Sequence, residues 1–503
     1  MKPVRPKIIL TGASGFVGRH FIEYFKNDYI IYALARKNQQ LARVPIHKNV
    51  KWILIDIADE NSLSKEIQNI SSNGPIDFVV HLAGFYNFDN KPDPEYERTN
   101  VLGTELILKY SKKLNPKRFL FSSSVAACNF PKQGEAIDEK ASVDADFPYA
   151  LTKRKAEQLV KDYSKYFPCS IIRFAAVFSD WCEYGPLYMF LQTWFSRSWN
   201  SRILGGKGES AVPYIHQKCL NQLLEIILNK TDNLPQIDTY IASPNGSTSH
   251  LELYNTGTKL FFGKQKPSFN MPKLISRIGV RILYYLGKMI GKPPFERPWM
   301  TDYIDLKLDI DANYTMNTLG WFPKPRRLIE RRLLYLIEHM RTLPIEWHTK
   351  NQVALKAKTS DRPNLLISNA LTEHQNDIVD EIFAKIFYNK DKELFIHYQH
   401  MNADYLIWYL NLIFNLIITS VRTGNRLSLV NYAHSLAVMR KREGFMVSEV
   451  TDALRIISET ITNKLINLPD LKRYEGLIRD TIGLSTQIMV DEVQDIFESN
   501  TIN

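Results

Sequence analysis

Cysteine is scarce in this chain, and the few cysteines present form no metal-binding or redox motif. The sequence contains Cys128, Cys169, Cys182 and Cys219, and no two of them form a CxxC pair. Zinc fingers and thioredoxin-like motifs are therefore excluded, and no metal site is expected. Sparing use of cysteine is typical of a reducing compartment. Since the N-terminus also lacks a signal-peptide pattern, the sequence predicts a cytoplasmic protein.

Long apolar runs and long blocks of like charge are also missing. No stretch reaches the roughly 18 uninterrupted apolar residues of a membrane-spanning helix, so no transmembrane span is expected. The formal net charge is +11, but no run of six or more like charges occurs, which argues against nucleic acid as a partner. Residues 273–292 form a basic amphipathic stretch. It is interpreted either as a helix packed over an active-site cleft or as a peripheral membrane contact.

What the chain does contain is an alternation of strand and helix patterns. Apolar strands that alternate with helices predict a doubly wound α/β fold, in which a parallel sheet is covered by helices on both faces. Residues 180–350 are irregular and rich in aromatic residues, as expected of a substrate-binding region. The predicted strands are 7–10, 29–35, 50–56, 77–84, 117–124 and 169–178.

A polar segment that ends near a proline, residues 351–364, is predicted to be a linker. It would separate a Rossmann domain at 1–350 from a second domain at 365–503. In the second domain apolar residues recur with helical periodicity, and only one proline, Pro469, occurs between residues 365 and 497. The sequence therefore predicts an all-helical C-terminal domain.

The first predicted strand runs directly into the glycine-rich turn TGASGFVG, residues 11–18. Gly12 permits a tight turn, Gly15 lets the backbone approach a diphosphate, and Gly18 lets the following helix pack on the strand. The exposed N–H groups and the helix dipole favour a dinucleotide there. Asp56 would accept a hydrogen bond from the adenine amino group. The predicted cofactor contacts outside the second strand are Gly12, Ser14, Gly15, Phe16, Val17, Gly18, Asp56, Ile57, Leu82, Ala83, Gly84 and Lys153.

The end of the second strand bears on the choice between NAD and NADP. NAD-binding proteins usually carry an acidic residue there, but this strand ends in Ala35-Arg36-Lys37. Arg36, helped by Arg19, could pair with the 2′-phosphate of NADP. The alternative is a solvated arginine in a site that accepts both cofactors. NADP is therefore favoured over NAD.

Tyr149 and Lys153 form a YxxxK motif at the start of a predicted helix, where a spacing of four puts both on one face. A nearby ammonium group favours the phenolate and lowers the pKa of a tyrosine. Tyr149 could then exchange a proton with a secondary alcohol or ketone while the nicotinamide exchanges hydride. Ser124, at the end of the fifth predicted strand, could hydrogen-bond the same substrate oxygen, and Lys153 would also hold the ribose.

Together these motifs resemble the extended short-chain dehydrogenase/reductase family, also called the NAD-dependent epimerase/dehydratase family, over roughly residues 5–345. The resemblance implies Ser124, Tyr149 and Lys153 as the catalytic triad and Asn100 as a residue that supports the site. It also implies a homodimer formed through helices beside the sheet. The matching features are TGASGFVG, HLAG, Asn100, FSSS, YALTK and Arg173.

The positions at which this chain departs from the family pattern narrow the range of reactions and substrates expected of it. Its dehydratases carry an Asp-Glu pair directly after the catalytic Ser or Thr, where this chain has Val125 and Ala126. Its epimerases carry polar contacts to a substrate diphosphate, where this chain has Ala176 and Val212. Both absences weaken the case for a nucleotide sugar. The nearby aromatic residues indicate either a less polar substrate or simply a hydrophobic core; they are Phe85, Tyr86, Phe88 and Trp181.

Residues 433–461 resemble the helical N-terminal domain of RsbR/RsbRD stressosome proteins. The matching features are a basic helix end, Glu443-Gly444-Phe445, and a following helix with Leu454-Arg455. The resemblance implies a globin-like bundle without haem that senses a signal or associates with a protein partner.

Three functions are consistent with these patterns. The first is an NAD(P)-dependent oxidoreductase acting on a small, apolar secondary alcohol or ketone. The second is an NAD-dependent sugar or nucleotide-sugar epimerase. The third is a regulatory protein that senses the dinucleotide. The intact set of Ser124, Tyr149 and Lys153 argues against sensing as the only role, because sensing needs no acid or base.

Overall fold

The computed structural model describes residues 5–40, 42–289, 294–354, 363–389, 394–423, 425–469 and 471–499. It divides into two units, Met1–Thr359 and Ser360–Asn503. The division falls inside the predicted linker, of which residues 355–362 lie outside the described residues. The first residues of the predicted linker, 351–354, are helical, and the amide of Asn351, which is buried, donates to the carbonyl of Trp181 over 2.7 Å.

The strands of the N-terminal unit are mostly short and lie along its whole length. They are Lys7–Thr11 (β1), Ile30–Ala35 (β2), Val50–Leu54 (β3), Phe78–His81 (β4), Arg118–Ser124 (β5), Cys169–Phe174 (β6), Ala176–Phe178 (β7), Ile203–Gly205 (β8), Ala211–Val212 (β9), Tyr214–His216 (β10), Ile237–Ala242 (β11), Thr248–Ser249 (β12) and Phe269–Met271 (β13).

Helices fill most of the intervals, including the region that the sequence left irregular. They are Phe16–Phe25 (α1), Glu60–Ser72 (α2), Gly103–Leu114 (α3), Pro148–Tyr163 (α4), Gly185–Trp194 (α5), Gln217–Asn229 (α6), His250–Phe262 (α7), Lys273–Met289 (α8), Asn313–Leu319 (α9), Ile329–Thr342 (α10) and Pro344–Ala354 (α11). A π-helix at Tyr96–Leu102 leads into α3.

Seven strands form one parallel sheet in the order β3-β2-β1-β4-β5-β6-β11. The predicted doubly wound fold is confirmed. The chain reverses direction across the sheet between β1 and β4, and ligands bind at the carboxyl ends of strands at such a switch point. Thr11 and His81 are register partners there. The glycine turn that follows β1 therefore lies at the place where a dinucleotide is expected.

Both faces of the sheet are covered by packed side chains. In β1, Ile8 and Leu10 contribute to the core on one face and Ile9 to the core on the other, because successive strand residues point to opposite sides. The predicted strand 169–178 is wrong as one element. It breaks at Ala175, whose N–H donates to Ala242, and β7 pairs with β10 in a separate small sheet.

A buried ion pair fixes α4, the helix of the YxxxK motif, to the sheet. Glu157 lies one turn beyond Lys153 and its side chain is 2% exposed. Its carboxylate accepts hydrogen bonds from Ser123 Oγ at 2.6 Å and from Arg173 Nε and Nη2 at 3.1 and 3.0 Å. Arg173 also donates to the carbonyl of Ala141 at 2.7 Å. Strands β5 and β6 therefore hold the catalytic face of α4 in place.

Replacement of Arg173 by methionine should lower the free energy of unfolding by about 3–5 kcal/mol, because it leaves the Glu157 carboxylate buried without its partner. Urea unfolding followed by circular dichroism measures this change. Arg154→Met on the exposed side of α4 is the matched control and should cost less than about 1 kcal/mol. Equal stability of the Arg173 variant and the control would show that the pair does not fix the helix.

The described residues of the C-terminal unit form helices joined by short turns. Its apolar core is built by all of the longer helices, so the predicted all-helical architecture is confirmed for the described part. The helices are Pro363–Glu373 (α12), Gln375–Phe387 (α13), Ile396–His400 (α14), Ala403–Thr423 (α15), Leu427–Arg442 (α16), Val447–Ile466 (α17) and Glu475–Glu498 (α18).

Helix α15 is the most apolar of these helices. Among the described residues, Ala403–Val421 is the one stretch that is long and apolar enough to cross a membrane by length and composition, with a mean hydropathy of 1.4. Core helices of soluble proteins pass the same test, and Leu406, Leu410 and Phe414 are buried in the core of this unit.

Of the residues that carry the RsbR-like resemblance, Glu443-Gly444-Phe445 lie in the turn between α16 and α17, and Leu454-Arg455 lie within α17. Gly444 has φ +85°, and Phe445 stacks on His397 with ring centroids 4.7 Å apart. His397 Nδ1 in turn lies 2.8 Å from the buried carboxylate of Glu449. This motif packs the bundle, and the sensing or association role stays a prediction.

Candidate active site

In the glycine turn after β1, the backbone lies very close to the backbone of the neighbouring segments. Gly12 has φ +70°, and a Cβ on it would lie 2.7 Å from the backbone of Leu82 and Ala83. A Cβ on Gly18 would lie 2.3 Å from the carbonyl oxygen of Gly12. No side chain larger than hydrogen fits at either position. The turn is therefore held against the end of β4 and the start of α1.

The N-terminus of α1 opens beside this turn. Gly15 is its N-cap residue, and no side chain caps the helix. The first N–H groups of a helix have no acceptor within the helix, and they carry the positive end of its dipole. Ser14, Phe16 and Val17 lie at this end, and their contact with a cofactor stays a prediction. These residues fit the diphosphate of a dinucleotide, which such an end binds.

The predicted adenosine contacts are already paired with other side chains. The guanidinium of Arg36 forms an ion pair with Glu95, and Arg19 pairs with the buried Glu183 at 3.1 Å. The assignment of both arginines to a 2′-phosphate is therefore not supported, since each has a carboxylate partner. Sequence reasoning missed these pairs because Glu95 and Glu183 lie far away in the chain.

Asp56 likewise has a partner. Arg98 Nη2 donates to its carboxylate at 2.6 Å, and the N–H of Ala58 donates at 3.0 Å. Partial burial would raise the pKa of Asp56, but these two hydrogen bonds hold it below its ordinary value. Ile57 is buried, and its Cδ1 would lie 2.9 Å from a Cβ on Gly103. Asp56 stays at the edge of the site as a charged acceptor, whereas Ile57 mainly packs against the start of α3.

Ser124, Tyr149 and Lys153 come together where β5 ends and α4 begins. The side chains of Ser124 and Tyr149 share a hydrogen bond. Lys153 Nζ donates to the carbonyl of Ser122 at 2.7 Å and lies 5.7 Å from the centroid of the Tyr149 ring. The β5 register and the first turn of α4 thus place the three predicted side chains as one group.

The electrostatics of this group differ from the prediction. Burial raises the pKa of Tyr149 well above its ordinary value, and the hydrogen bond with Ser124 only partly opposes this. The lowering that the sequence predicts from Lys153 does not outweigh burial, and the Lys153 ammonium donates to the carbonyl of Ser122. Burial also lowers the pKa of Lys153 to about 8, although Glu157 opposes the shift. Burial of this group therefore favours the protonated form of Tyr149.

Asn100, in the π-helix, ties the loop after β4 to α4. Its Oδ1 accepts from the N–H of Phe85 at 2.6 Å, and its Nδ2 donates to the carbonyl of Phe85 and to Thr152 Oγ1, both at 3.0 Å. A Cβ on Gly84 would lie 3.6 Å from Lys153 Nζ and 3.8 Å from Asn100 Oδ1. Asn100 is thus a positioning residue for the catalytic helix.

A buried histidine that the sequence did not single out links the cofactor turn to Asn100. Thr104 Oγ1 donates to the carbonyl of Asn100 at 2.7 Å, so it must accept from His81 Nε2 at 3.0 Å. His81 Nδ1 then accepts from Thr11 Oγ1 at 2.8 Å. Burial, together with the charge of Lys153, lowers the pKa of His81 to about 3. The neutral His81 ring therefore connects the end of β4 to Thr11, beside the glycine turn, and through Thr104 to Asn100.

An aromatic wall, which we define as Tyr86, Phe88 and Phe295, leads away from Tyr149. The ring centroids of Tyr86 and Tyr149 are 5.0 Å apart, those of Tyr86 and Phe88 are 4.8 Å apart, and those of Phe88 and Phe295 are 5.7 Å apart. Of the other two aromatic candidates, Phe85 packs on Tyr96, and Trp181 stacks on His339 at 4.1 Å.

Among the described ranges, no group of three or more His, Cys, Asp or Glu side chains could hold a metal ion. The glycine turn and the Ser-Tyr-Lys group together form the kind of site that Rossmann-fold dehydrogenases of the short-chain type use.

The comparisons with known proteins refine this class. The model of the NAD dependent epimerase/dehydratase family matches residues 8–240. The dTDP-D-glucose 4,6-dehydratase of Dictyostelium discoideum is 30% identical over 186 residues, which are 33% of this chain and 42% of that protein. The N-acetyl-alpha-D-glucosaminyl-diphospho-ditrans,octacis-undecaprenol 4-epimerase of Escherichia coli O157:H7 is 25% identical over 295 residues, 57% of this chain and 81% of that protein. Over residues 8–240 the N-terminal unit is therefore similar to the NAD-dependent epimerase/dehydratase family.

Solved structures agree on the fold. The UDP-glucose 4-epimerase of Thermotoga maritima, solved with UDP-glucose, is 18% identical with a TM-score of 0.52 and covers 67% of this chain and 99% of its own. The UDP-glucuronic acid 4-epimerase of Bacillus cereus, in complex with UDP-glucuronic acid and NAD, is 18% identical with a TM-score of 0.50 and has the same coverage. This chain spans 42% and 53% of the lengths of two relatives from Dictyostelium discoideum.

Proposed function

We propose that this protein is an NAD-dependent epimerase that inverts a secondary alcohol on a sugar, with Tyr149 as its acid and base. The observation that carries the proposal is the Ser124–Tyr149–Lys153 group at the switch point of a Rossmann sheet. The epimerases among the relatives support a sugar as the substrate. The predicted homodimer, the protein partner of the C-terminal unit and the cytoplasmic location stay predictions.

The chain's own residues supply the proton chemistry. NAD, when bound, would accept a hydride from the carbinol carbon and return it. Tyr149 accepts the proton of the substrate hydroxyl as the C–H bond breaks, which leaves a ketone, and it returns the proton when the carbon is reduced from the other side. Ser124 donates a hydrogen bond to the same oxygen. Because burial raises the pKa of Tyr149, its proton must leave before the first step, and the Lys153 charge favours that loss.

Epimerisation is favoured over dehydration because the site has no second acid or base after Ser124. Val125 is buried, and Ala126 has no functional group. The nearest carboxylate on the same face of α4, Glu157, is held by Arg173 and Ser123. Elimination of water needs a further group to protonate the departing hydroxyl, and these residues do not provide one.

NAD is favoured over NADP because the arginine that would bind a 2′-phosphate already has a partner. Glu95 accepts from Arg36 and also from Arg98 at 3.2 Å. A carboxylate at this position would repel a 2′-phosphate while leaving room for a ribose hydroxyl.

Glu95→Gln should therefore improve NADP binding relative to NAD by about tenfold, because it removes one negative charge and releases Arg36. Isothermal titration of both cofactors measures the ratio of their dissociation constants. Glu97→Gln is the matched control, since Glu97 pairs with Lys155 instead. An unchanged ratio in the Glu95 variant would remove the basis for preferring NAD.

The proposed reaction is tested by incubating the full chain with nucleotide sugars and with a polyprenyl-diphosphate-linked N-acetylhexosamine. We expect one of them to give its epimer without added cofactor, and in deuterated water without deuterium on the inverted carbon, because the same hydride returns. Accumulation of a ketone with consumption of added NAD would instead indicate a simple dehydrogenase and would overturn the proposal.

A further inference from the structure

Helix α8 leaves most of its apolar side chains in solvent. Ser276 and Gly287 are its buried residues, whereas Met289 is 83% exposed. Monomeric soluble proteins rarely expose so many neighbouring apolar side chains without a function for them. The other exposed apolar residues of the helix that matter here are Leu274, Ile275, Ile278, Ile282, Tyr285 and Leu286, each between 51% and 69% exposed.

These residues form one stripe. At 3.6 residues per turn they occupy an arc of roughly 120° around the helix axis, and no polar side chain interrupts it. Together with Met289 we call them the apolar stripe. Such a helix, with a continuous apolar face and a polar remainder, has the pattern of a helix that lies in a membrane interface.

The charges on α8 are all of one sign. The helix contains Lys273, Arg277, Arg281 and Lys288 and no acidic residue. Arg277, Arg281 and Lys288 follow one edge of the apolar stripe, where long basic side chains can reach lipid headgroups. Arg277 is partly neutralised by Asp302 at 2.9 Å. The border of the stripe therefore complements an anionic surface.

The opposite side of the helix faces the protein. Ser276 Oγ donates to the carbonyl of Met271 at 3.0 Å, and Lys273 Nζ donates to the carbonyl of Ile304 at 3.1 Å. A lid over a cleft would turn its apolar side inward. Here the small and polar side is inward, so over the described residues 273–289 the helix does not pack through its apolar face. Residues 290–292 lie outside the described part of the chain.

Helix α8 also adjoins the aromatic wall that leads to Tyr149. The wall ends at Phe295, and two residues later the Arg297 guanidinium lies 5.5 Å from the ring centroid of Tyr284 in α8. Arg297 also pairs with Asp89 at 3.0 Å, directly after the wall residue Phe88. The exposed helix and the apolar approach to the catalytic tyrosine are therefore parts of one surface region.

We propose that α8 docks the N-terminal unit on an anionic lipid surface. The apolar stripe enters the acyl boundary, Arg281 and Lys288 contact the headgroups, and the active site takes a sugar that is anchored in that surface. The identity of the substrate rests on the proposed function, but the docking does not.

Docking is tested by co-sedimentation of the full chain with phosphatidylcholine vesicles, with and without phosphatidylglycerol. We expect binding to the anionic vesicles, and at least tenfold weaker binding of the variant Ile278→Asp/Ile282→Asp. Arg281→Gln/Lys288→Gln should weaken binding by roughly fivefold for each charge. The matched control is Leu334→Asp/Phe322→Asp, whose residues are similarly exposed, at 53% and 62%, and should leave binding unchanged.

Wild-type protein that stays in the supernatant with anionic vesicles would overturn the proposal. The proposal would also be overturned if the protein bound no vesicles but formed a dimer, and if the variant Ile278→Asp/Ile282→Asp dissociated that dimer. The stripe would then join two copies of this chain. Tyr149→Phe should bind vesicles like wild type. Vesicle binding without turnover of any sugar would therefore refute the proposed function alone, and turnover without vesicle binding would refute the docking alone.

The substrate part is tested with the polyprenyl-linked sugar carried in the same anionic vesicles. Its turnover should fall at least tenfold in Ile278→Asp/Ile282→Asp and remain unchanged in the Leu334→Asp/Phe322→Asp control. Equal turnover by both variants would show that the substrate does not reach the site from the lipid surface.

Discussion

Replacement of Tyr149 by phenylalanine should lower kcat by roughly 10²–10⁴-fold and leave the dissociation constant of NAD within about twofold. The change removes only the hydroxyl that exchanges the substrate proton. The ring keeps its contact with Tyr86, 5.0 Å between centroids, so the aromatic approach to the site is retained. Turnover assays and titration calorimetry with NAD separate the two effects.

Tyr166→Phe serves as the control, because this tyrosine follows α4 and is 42% exposed. It should retain both activity and NAD affinity. Turnover by Tyr149→Phe within tenfold of wild type would mean that another group exchanges the proton, and the catalytic assignment would fail.

Replacement of Gly18 by alanine should raise the dissociation constant of NAD about tenfold or more and destabilise the N-terminal unit by about 1–3 kcal/mol. The new Cβ would lie 2.3 Å from the carbonyl oxygen of Gly12 and 2.9 Å from Ala13 Cα, both of which are backbone atoms. The glycine turn must therefore move away from α1, and the N–H groups that would bind the diphosphate move with it. Thermal unfolding at increasing NAD concentration measures both quantities.

Gly279→Ala is the matched control for this variant. Gly279 is also within a helix, but a Cβ there would have no atom within 4 Å. Alanine has the higher helix propensity, so the control should be as stable as wild type or slightly more stable. If the two alanine variants had the same NAD affinity, the close packing of the glycine turn would be irrelevant to binding.

The parts of the site that follow local rules could be predicted from the sequence. The glycine turn depends on the end of a strand, three glycines and a helix start within the eight residues 11–18, and all of these positions lie as expected. Tyr149 and Lys153 are one helical turn apart, so their shared face follows from helix geometry.

The parts that depend on distant partners could not be predicted in this way. Arg36 meets Glu95, 59 positions away, and Asp56 meets Arg98, 42 positions away. Those pairs change the expected cofactor preference and the expected adenine contact. Glu157 follows Lys153 by four residues, so the sequence alone indicates that it lies on the same face of α4. The sequence does not indicate that Arg173, on β6, is its partner.

The amphipathic stretch, residues 273–292, is a second case in which the sequence alone does not determine the structural role. The pattern of residues 273–292 fits equally a helix packed through its apolar face and a helix that exposes this face, because periodicity does not reveal which side meets the protein. The burial of Ser276 and Gly287 decides between them.

The most direct test of a dinucleotide-dependent redox site is to denature the purified full chain and identify any released dinucleotide by mass spectrometry. We expect NAD, retained through purification, since an epimerase reuses one cofactor in every cycle. A protein that releases no dinucleotide and is not thermally stabilised by NAD, NADH, NADP or NADPH would contradict the account.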